Sequence, residues 1–156
     1  MTVELVPKPL WGQNPRSAMT NRQWDDVRRK VYADAGHRCE ICGAEGKLQA
    51  HEVWEYDDEK FIQRLIRMIA LCPSCHGVKH FGRSALVLRE DDKMRIYKHF
   101  VAVNGCSREE FAKHLRAELA KYQSRSKHAD WKIDWGPFQK FDALARKIVR
   151  VPKARD

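Results

Sequence analysis

The sequence predicts an α+β fold: a zinc-braced finger flanked by helices on its N- and C-terminal sides. Three observations carry that expectation. Two Cys-x-x-Cys pairs, Cys39/Cys42 and Cys72/Cys75, are separated by 29 residues. His51 lies between them, and His76 and His80 follow at once. Outside this region, the capping-box patterns Thr20-x-x-Gln23 and Ser107-x-x-Glu110 each open a helical stretch.

A chain of 156 residues is expected to form one main domain, with a modest core that a metal helps to stabilise. Charged residues make up 33% and hydrophobic ones 43%, which excludes a disordered chain. The net charge of +9 favours a polyanionic partner, nucleic acid above all. No stretch approaches membrane-spanning length and Met1 to Trp11 holds no apolar signal core, so the expected location is the cytoplasm, with no membrane partner. In that reducing setting paired cysteines read as metal ligands rather than disulfides. Cys106 stands apart from the pairs as an incidental thiol.

In chain order, residues 1–19 carry three prolines together with Gly12 and Asn14 and read as an extended N-terminal arm, tacked down by Trp11. Residues 20–83 form the finger domain with its leading helix. That helix runs from Thr20 to about Ala35, with Trp24, Val27 and Val31 as its apolar stripe and Gly36 as its stop. Gly43 and Gly46 allow the tight backbone of the first knuckle. Lys47 to Tyr56 has strand character. Asp57 and Asp58 are expected to cap a helix to about Arg67 that buries Phe61, Ile62, Leu65 and Ile66, with a short strand from Met68 to Leu71. Pro73 suits the first turn of a helix continuing through His80. Residues 84–135 form a helical extension: Asp91 to Val103, then Ser107 to about Gln123, then an alternating Trp131-Lys132-Ile133-Asp134-Trp135 that reads as a strand or clamp. Residues 136–156 are a basic C-terminal segment with a helix expected over Phe138 to Val149.

Cys39, Cys42, Cys72 and Cys75 form the usual ligand set of a closed structural zinc site, because the x-x spacing lets both thiolates of each pair reach one ion. The three histidines cannot join that filled shell and so point to a second centre. His76 and His80, four residues apart, share one helix face, and His51 lies on the strand that the zinc pins against it.

The segments Leu48-Gln49-Ala50-His51-Glu52-Val53 and Leu71-Cys72-Pro73-Ser74-Cys75-His76-x-x-Lys79-His80 resemble the HNH endonucleases, the ββα-metal finger nucleases. The resemblance covers roughly residues 36–82, about a third of the chain. It implies a β-hairpin and a helix clamping one divalent ion, with His51, His76 and His80 as ligands and Mg²⁺, Mn²⁺, Ni²⁺ or Zn²⁺ as the ion. The sequence departs from the family pattern at two places. Glu52 stands where the family has its general-base His, and Arg67 where it has the Asn that orients the base. A second register makes His51 the base and leaves Ala50, which cannot ligate, at the metal position.

The activity implied is hydrolysis of phosphodiester bonds in DNA, with RNA as the alternative substrate and low sequence specificity from the protein alone. Glu52, ionised at neutral pH, would be the base, and Arg67 would hold the phosphate. Arg28, Arg29, Lys30, Lys79, Arg83, Lys140, Arg146, Lys147, Arg150 and Lys153 would supply salt-sensitive affinity for the nucleic acid backbone. Two other classes remain open: a catalytically silent, zinc-containing nucleic-acid-binding module, and an interaction or regulatory protein. The sequence does not give the oligomeric state.

Overall fold

The first helix begins where its capping box places it. In the computed structural model, which describes residues 1–82 and 88–141, α1 spans Asn21–Asp34. Its N-cap Thr20 accepts from the Gln23 backbone N–H, and the Gln23 side chain returns to Thr20. Trp24 is buried, with Val27 and Val31 packed beside it on the stripe that the periodicity required.

The main correction lies between residues 57 and 67. The expected helix does not form; the chain makes a hairpin of β1 (Gln49–Asp57) and β2 (Ile62–Leu71), and the expected short strand Met68 to Leu71 is the end of β2. Asp57 does bind backbone N–H groups, of Glu59 and Lys60, but in a turn that reverses the chain rather than starting a helix. Phe61 closes the turn with a φ of 52°. The strands then pair antiparallel from Asp57–Ile62 to Gln49–Leu71, with one irregularity between Val53 and Trp54. Ile62, Ile66 and Ile69 are β-branched and suit that pleated environment. Burial follows the strand: Leu65 is 1% exposed, whereas Ile66, expected inside, is 44% exposed.

β2 runs directly into α2 (Pro73–Lys79). The helical extension supplies α3 (Glu90–Asn104) and α4 (Arg108–Arg125), the latter opened by the expected Ser107/Glu110 capping box. β3 (Lys132–Asp134) pairs parallel with the free edge of β2, so the sheet order is β1-β2-β3. A 3-10 turn, Gly136–Phe141, follows; most of the helix expected from Phe138 to Val149 lies outside the described residues.

Residues 1–19 are not extended throughout. They contain two 3-10 turns, Lys8–Leu10 and Pro15–Ala18, and bury Val3, Leu10 and Ala18. Trp11 does not tack them down: it is 60% exposed, and its indole N–H donates to the carbonyl of Val6 within the arm itself.

Among the described residues three apolar clusters result. One, around Trp24, Leu65, Met68 and Trp135, joins α1 to one face of the sheet. A second, around Val3, Val78, Ile96, Phe100 and Phe111, seals the N-terminal segment against α2, α3 and α4. The third, around Ile69, Leu71 and the cysteines, lies between the hairpin and the knuckles. No helix among the described residues is long and apolar enough to cross a membrane.

Gly136 is required where the chain leaves β3. Its φ is +48°, and a Cβ there would lie 2.2 Å from the Leu65 carbonyl oxygen. Gly136→Ala combines a left-handed backbone with a collision against β2 and should cost about 3 kcal/mol, the upper end for one strained position. Urea unfolding of the two proteins measures the difference.

Candidate functional site

The sequence places the four cysteines at two bends. Gly43 and Gly46, at φ +73° and +104°, supply the left-handed backbone of the first bend. The second bend is the β2–α2 junction, where Cys72 is the N-cap of α2 and its sulfur accepts from the Cys75 backbone N–H at 3.4 Å. The two bends meet: the sulfurs of Cys39, Cys42, Cys72 and Cys75 all lie within 4.8 Å of one another. Thiolates around one tetrahedral zinc, at about 2.3 Å each, sit about 3.8 Å apart. Cys42 Sγ and Cys72 Sγ are 3.7 Å apart, so the cluster is positioned to hold a metal ion.

Without a cation its electrostatics favour neutral thiols at Cys42 and Cys75. Burial pushes the thiols of Cys42 and Cys75 up, and for Cys75 the neighbouring sulfurs push further the same way. Burial opposes ionisation of Cys39 too, but backbone hydrogen bonds from Cys72, Cys42 and Ile41 outweigh it and bring that thiol down to about 7. Four clustered sulfurs can all be thiolates only when a cation compensates them.

The three histidines form a second cluster. Their ligand atoms also lie within 4.8 Å of one another, with His51 buried and His76 and His80 half-buried. Ring centroids stand 5.4 Å apart for His51–His76, 4.8 Å for His51–His80 and 4.4 Å for His76–His80. His51 Nδ1 is 3.2 Å from His80 Nε2. Imidazole nitrogens sharing a tetrahedral ion at about 2.0–2.1 Å lie about 3.3 Å apart, so this donor set could hold a metal ion.

Glu52 and Arg67 fall outside that cluster. The register pairs His51 with Ile69 and Glu52 with Met68, so the two neighbours start on opposite faces of the hairpin. Met68 packs in the cluster beneath α1, with Ala50 and Trp54 beside it. Burial raises the Glu52 carboxyl above its ordinary value, reinforced by the charge of Glu4 and opposed by a backbone hydrogen bond and by His51. Arg67 donates through Nη1 to Glu40 Oε2 at 2.6 Å, while Glu40 Oε1 accepts from the Ala70 backbone N–H at 2.9 Å. Arg67 thus ties the first knuckle to β2.

Glu4 and His99 were missed from sequence, and Lys79 was given a different role. Glu4 Oε2 is 3.2 Å from His51 Nε2, and Glu4 Oε1 is 2.5 Å from the Lys79 ammonium, which also donates to Thr2 Oγ1. Burial works against the Glu4 charge, but the hydrogen bond from His51 and the nearby Lys79 prevail and lower its pKa. Lys79, expected to track phosphates, is instead 9% exposed and turned into the N-terminal segment. His99 of α3 places Nε2 3.1 Å from Cys75 Sγ, and burial lowers its pKa. One signal for Glu4 was present: an acid inside the apolar run Val3-Glu4-Leu5-Val6. His99 lies near Ile96 and Phe100 in sequence, and nothing local set it apart.

No family model, no curated protein and no solved structure matches the chain. The fold and sites define it as an α+β protein with a four-cysteine cluster positioned for a metal ion beside a cluster of three histidines.

Cys39→Ser or Cys75→Ser should abolish stoichiometric zinc in elemental analysis and lower the melting temperature sharply, because metal binding to such a site is folding free energy. Cys106→Ser, outside the cluster, should leave the zinc content unchanged.

Proposed function

We propose that this chain is a metal-dependent endonuclease of the ββα-metal, HNH-like type, hydrolysing phosphodiester bonds in DNA. The observation that supports this most is the convergence of His51 from β1 with His76 of α2 and His80 at its C-cap. A module that only binds nucleic acid has no need of three imidazoles gathered beside a separate four-thiolate cluster.

In this reading the four thiolates hold a structural zinc that fixes α2 on the hairpin, and the three imidazoles hold the catalytic ion. A divalent ion held there supplies charge stabilisation at the phosphate and its leaving 3′ oxygen. Glu52, next in sequence to His51, serves as the base that takes the proton of the attacking water. Its raised pKa makes it a stronger proton acceptor than an exposed carboxylate. Arg67, held against the knuckle by Glu40, can offer its other N–H donors to a phosphate. Basic residues supply affinity: Arg22, Arg29 and Lys30 lie exposed on α1, although Lys30 also pairs with Asp34, and Arg28 with Asp25. Arg83, Arg146, Lys147, Arg150 and Lys153, counted for the same purpose, lie outside the described residues, as does the Lys140 side chain.

One observation favours a second reading, the catalytically silent nucleic-acid-binding module. Glu52 begins on the face of the hairpin that packs under α1, away from the imidazoles.

Incubation with supercoiled plasmid and Mg²⁺, Mn²⁺, Ni²⁺ or Zn²⁺ should give nicked or linear product, and EDTA should suppress it. His76→Ala should abolish cleavage while the four-cysteine zinc and salt-sensitive DNA retention persist. Nicking by His76→Ala at the wild-type rate would remove the proposed catalytic centre.

Glu52→Gln preserves shape and removes the proton acceptor. Cleavage should fall by about 10²–10⁴-fold, the usual contribution of a general base, with DNA binding unchanged. A wild type that is inert with every ion, together with an active Glu52→His, would establish the silent module instead.

A further inference from the structure

His51 is only 3% exposed, so its two ring nitrogens depend on protein partners rather than water. Nδ1 faces His80 Nε2 at 3.2 Å, inside the imidazole cluster. Nε2 faces Glu4 Oε2 at 3.2 Å. A carboxylate only accepts, so Nε2 carries the hydrogen, and a neutral ring then keeps its lone pair on Nδ1, aimed into the cluster.

Glu4 is itself held for that task. Its second oxygen takes the Lys79 ammonium at 2.5 Å, and its backbone N–H donates to the Lys79 carbonyl at 3.2 Å. The carboxylate therefore spans from the last turn of α2 to the β1 histidine. One oxygen anchors it and the other reads His51. A residue that merely fastened the N-terminal segment would need the lysine alone.

We propose that Glu4 is a positioning residue for the three-imidazole site: it locks His51 in the Nε2–H tautomer and presents Nδ1 as the ligand atom. This rests on the metal-centre reading above. Carboxylates that accept from a ligating histidine fix the ring's orientation and raise its basicity, and their loss typically costs about 10–100-fold in metal affinity or activity.

The test uses the full chain loaded with zinc at the cysteines. Long-range ¹H–¹⁵N NMR of the histidine rings reports the His51 tautomer without any added ion. Calorimetric titration with Ni²⁺ then reports affinity at the imidazoles. Wild type should show His51 as the single Nε2–H tautomer and bind one further Ni²⁺. In Glu4→Gln the side-chain amide can donate as well as accept, so His51 should become a mixture of tautomers and Ni²⁺ should bind about 10–100-fold more weakly. Lys79→Met removes the anchor and leaves the carboxylate, so it should keep the tautomer even if it melts earlier.

Wild-type tautomer and Ni²⁺ affinity in Glu4→Gln would overturn the assignment. So would a wild-type His51 carrying its hydrogen on Nδ1, which needs no variant to fold. Zinc-loaded wild type that takes up no Ni²⁺ would overturn the metal-centre reading, and the inference with it. The ion-free tautomer spectrum distinguishes that failure from an error about Glu4 alone.

Discussion

The site depends on the join at Cys72, where a strand becomes a helix and a sulfur becomes the helix cap. β2 delivers its last buried residue, Leu71, and α2 starts within two positions. Cys72 accepts from the Cys75 N–H and belongs to the same cluster as Cys39 and Cys42. A metal at those sulfurs would fix the helix start against the first knuckle, and with it the direction in which α2 presents His76 and His80. A seven-residue helix has little stability of its own, so its orientation must come from such tethers. The apolar packing of Val78 and the Glu4–Lys79 pair secure its far end.

In the proposed reading the two clusters would divide work that one could not do. Four thiolates complete a tetrahedral shell and leave no position for a substrate, whereas three imidazoles leave at least one open. The chain gathers them as two separate groups of ligand atoms. The sulfurs share the small apolar cluster with Ile69 and Leu71, while the imidazoles sit between β1, α2 and the N-terminal segment. On the sulfur side, His99 of α3 sets its ring against Cys75.

What could be read from the sequence was what is encoded locally. The capping boxes fixed the starts of α1 and α4, and the Cys-x-x-Cys spacing and the i, i+4 histidines announced both clusters. Residues 57–67 were misread because Asp57-Asp58 can cap a helix or close a turn, and the apolar spacing of Ile62, Leu65 and Ile66 fits a helix as well as it fits half of a twisted strand. Pairing with β1, a tertiary fact, decided it. The partners of the site residues were hidden for a related reason. Glu4 meets His51 across 47 positions, and Arg67 meets Glu40 across 27, and neither pair has a local signature.

The pairing of β3 with β2 also bears on how the chain acquires its fold. The hairpin edge is made from neighbours in sequence, but the opposite edge of β2 waits for residues about 70 positions later, joined by the Arg64–Asp134 bridge. During synthesis the hairpin, the knuckles and α2 can assemble while that edge still presents unpaired N–H and carbonyl groups. α3 and α4 must be made before Lys132 to Asp134 can cover it. The third strand is therefore a late seal over Ile62 to Arg64, and the interval before it closes is when that stretch of β2 is most open to pairing with another chain.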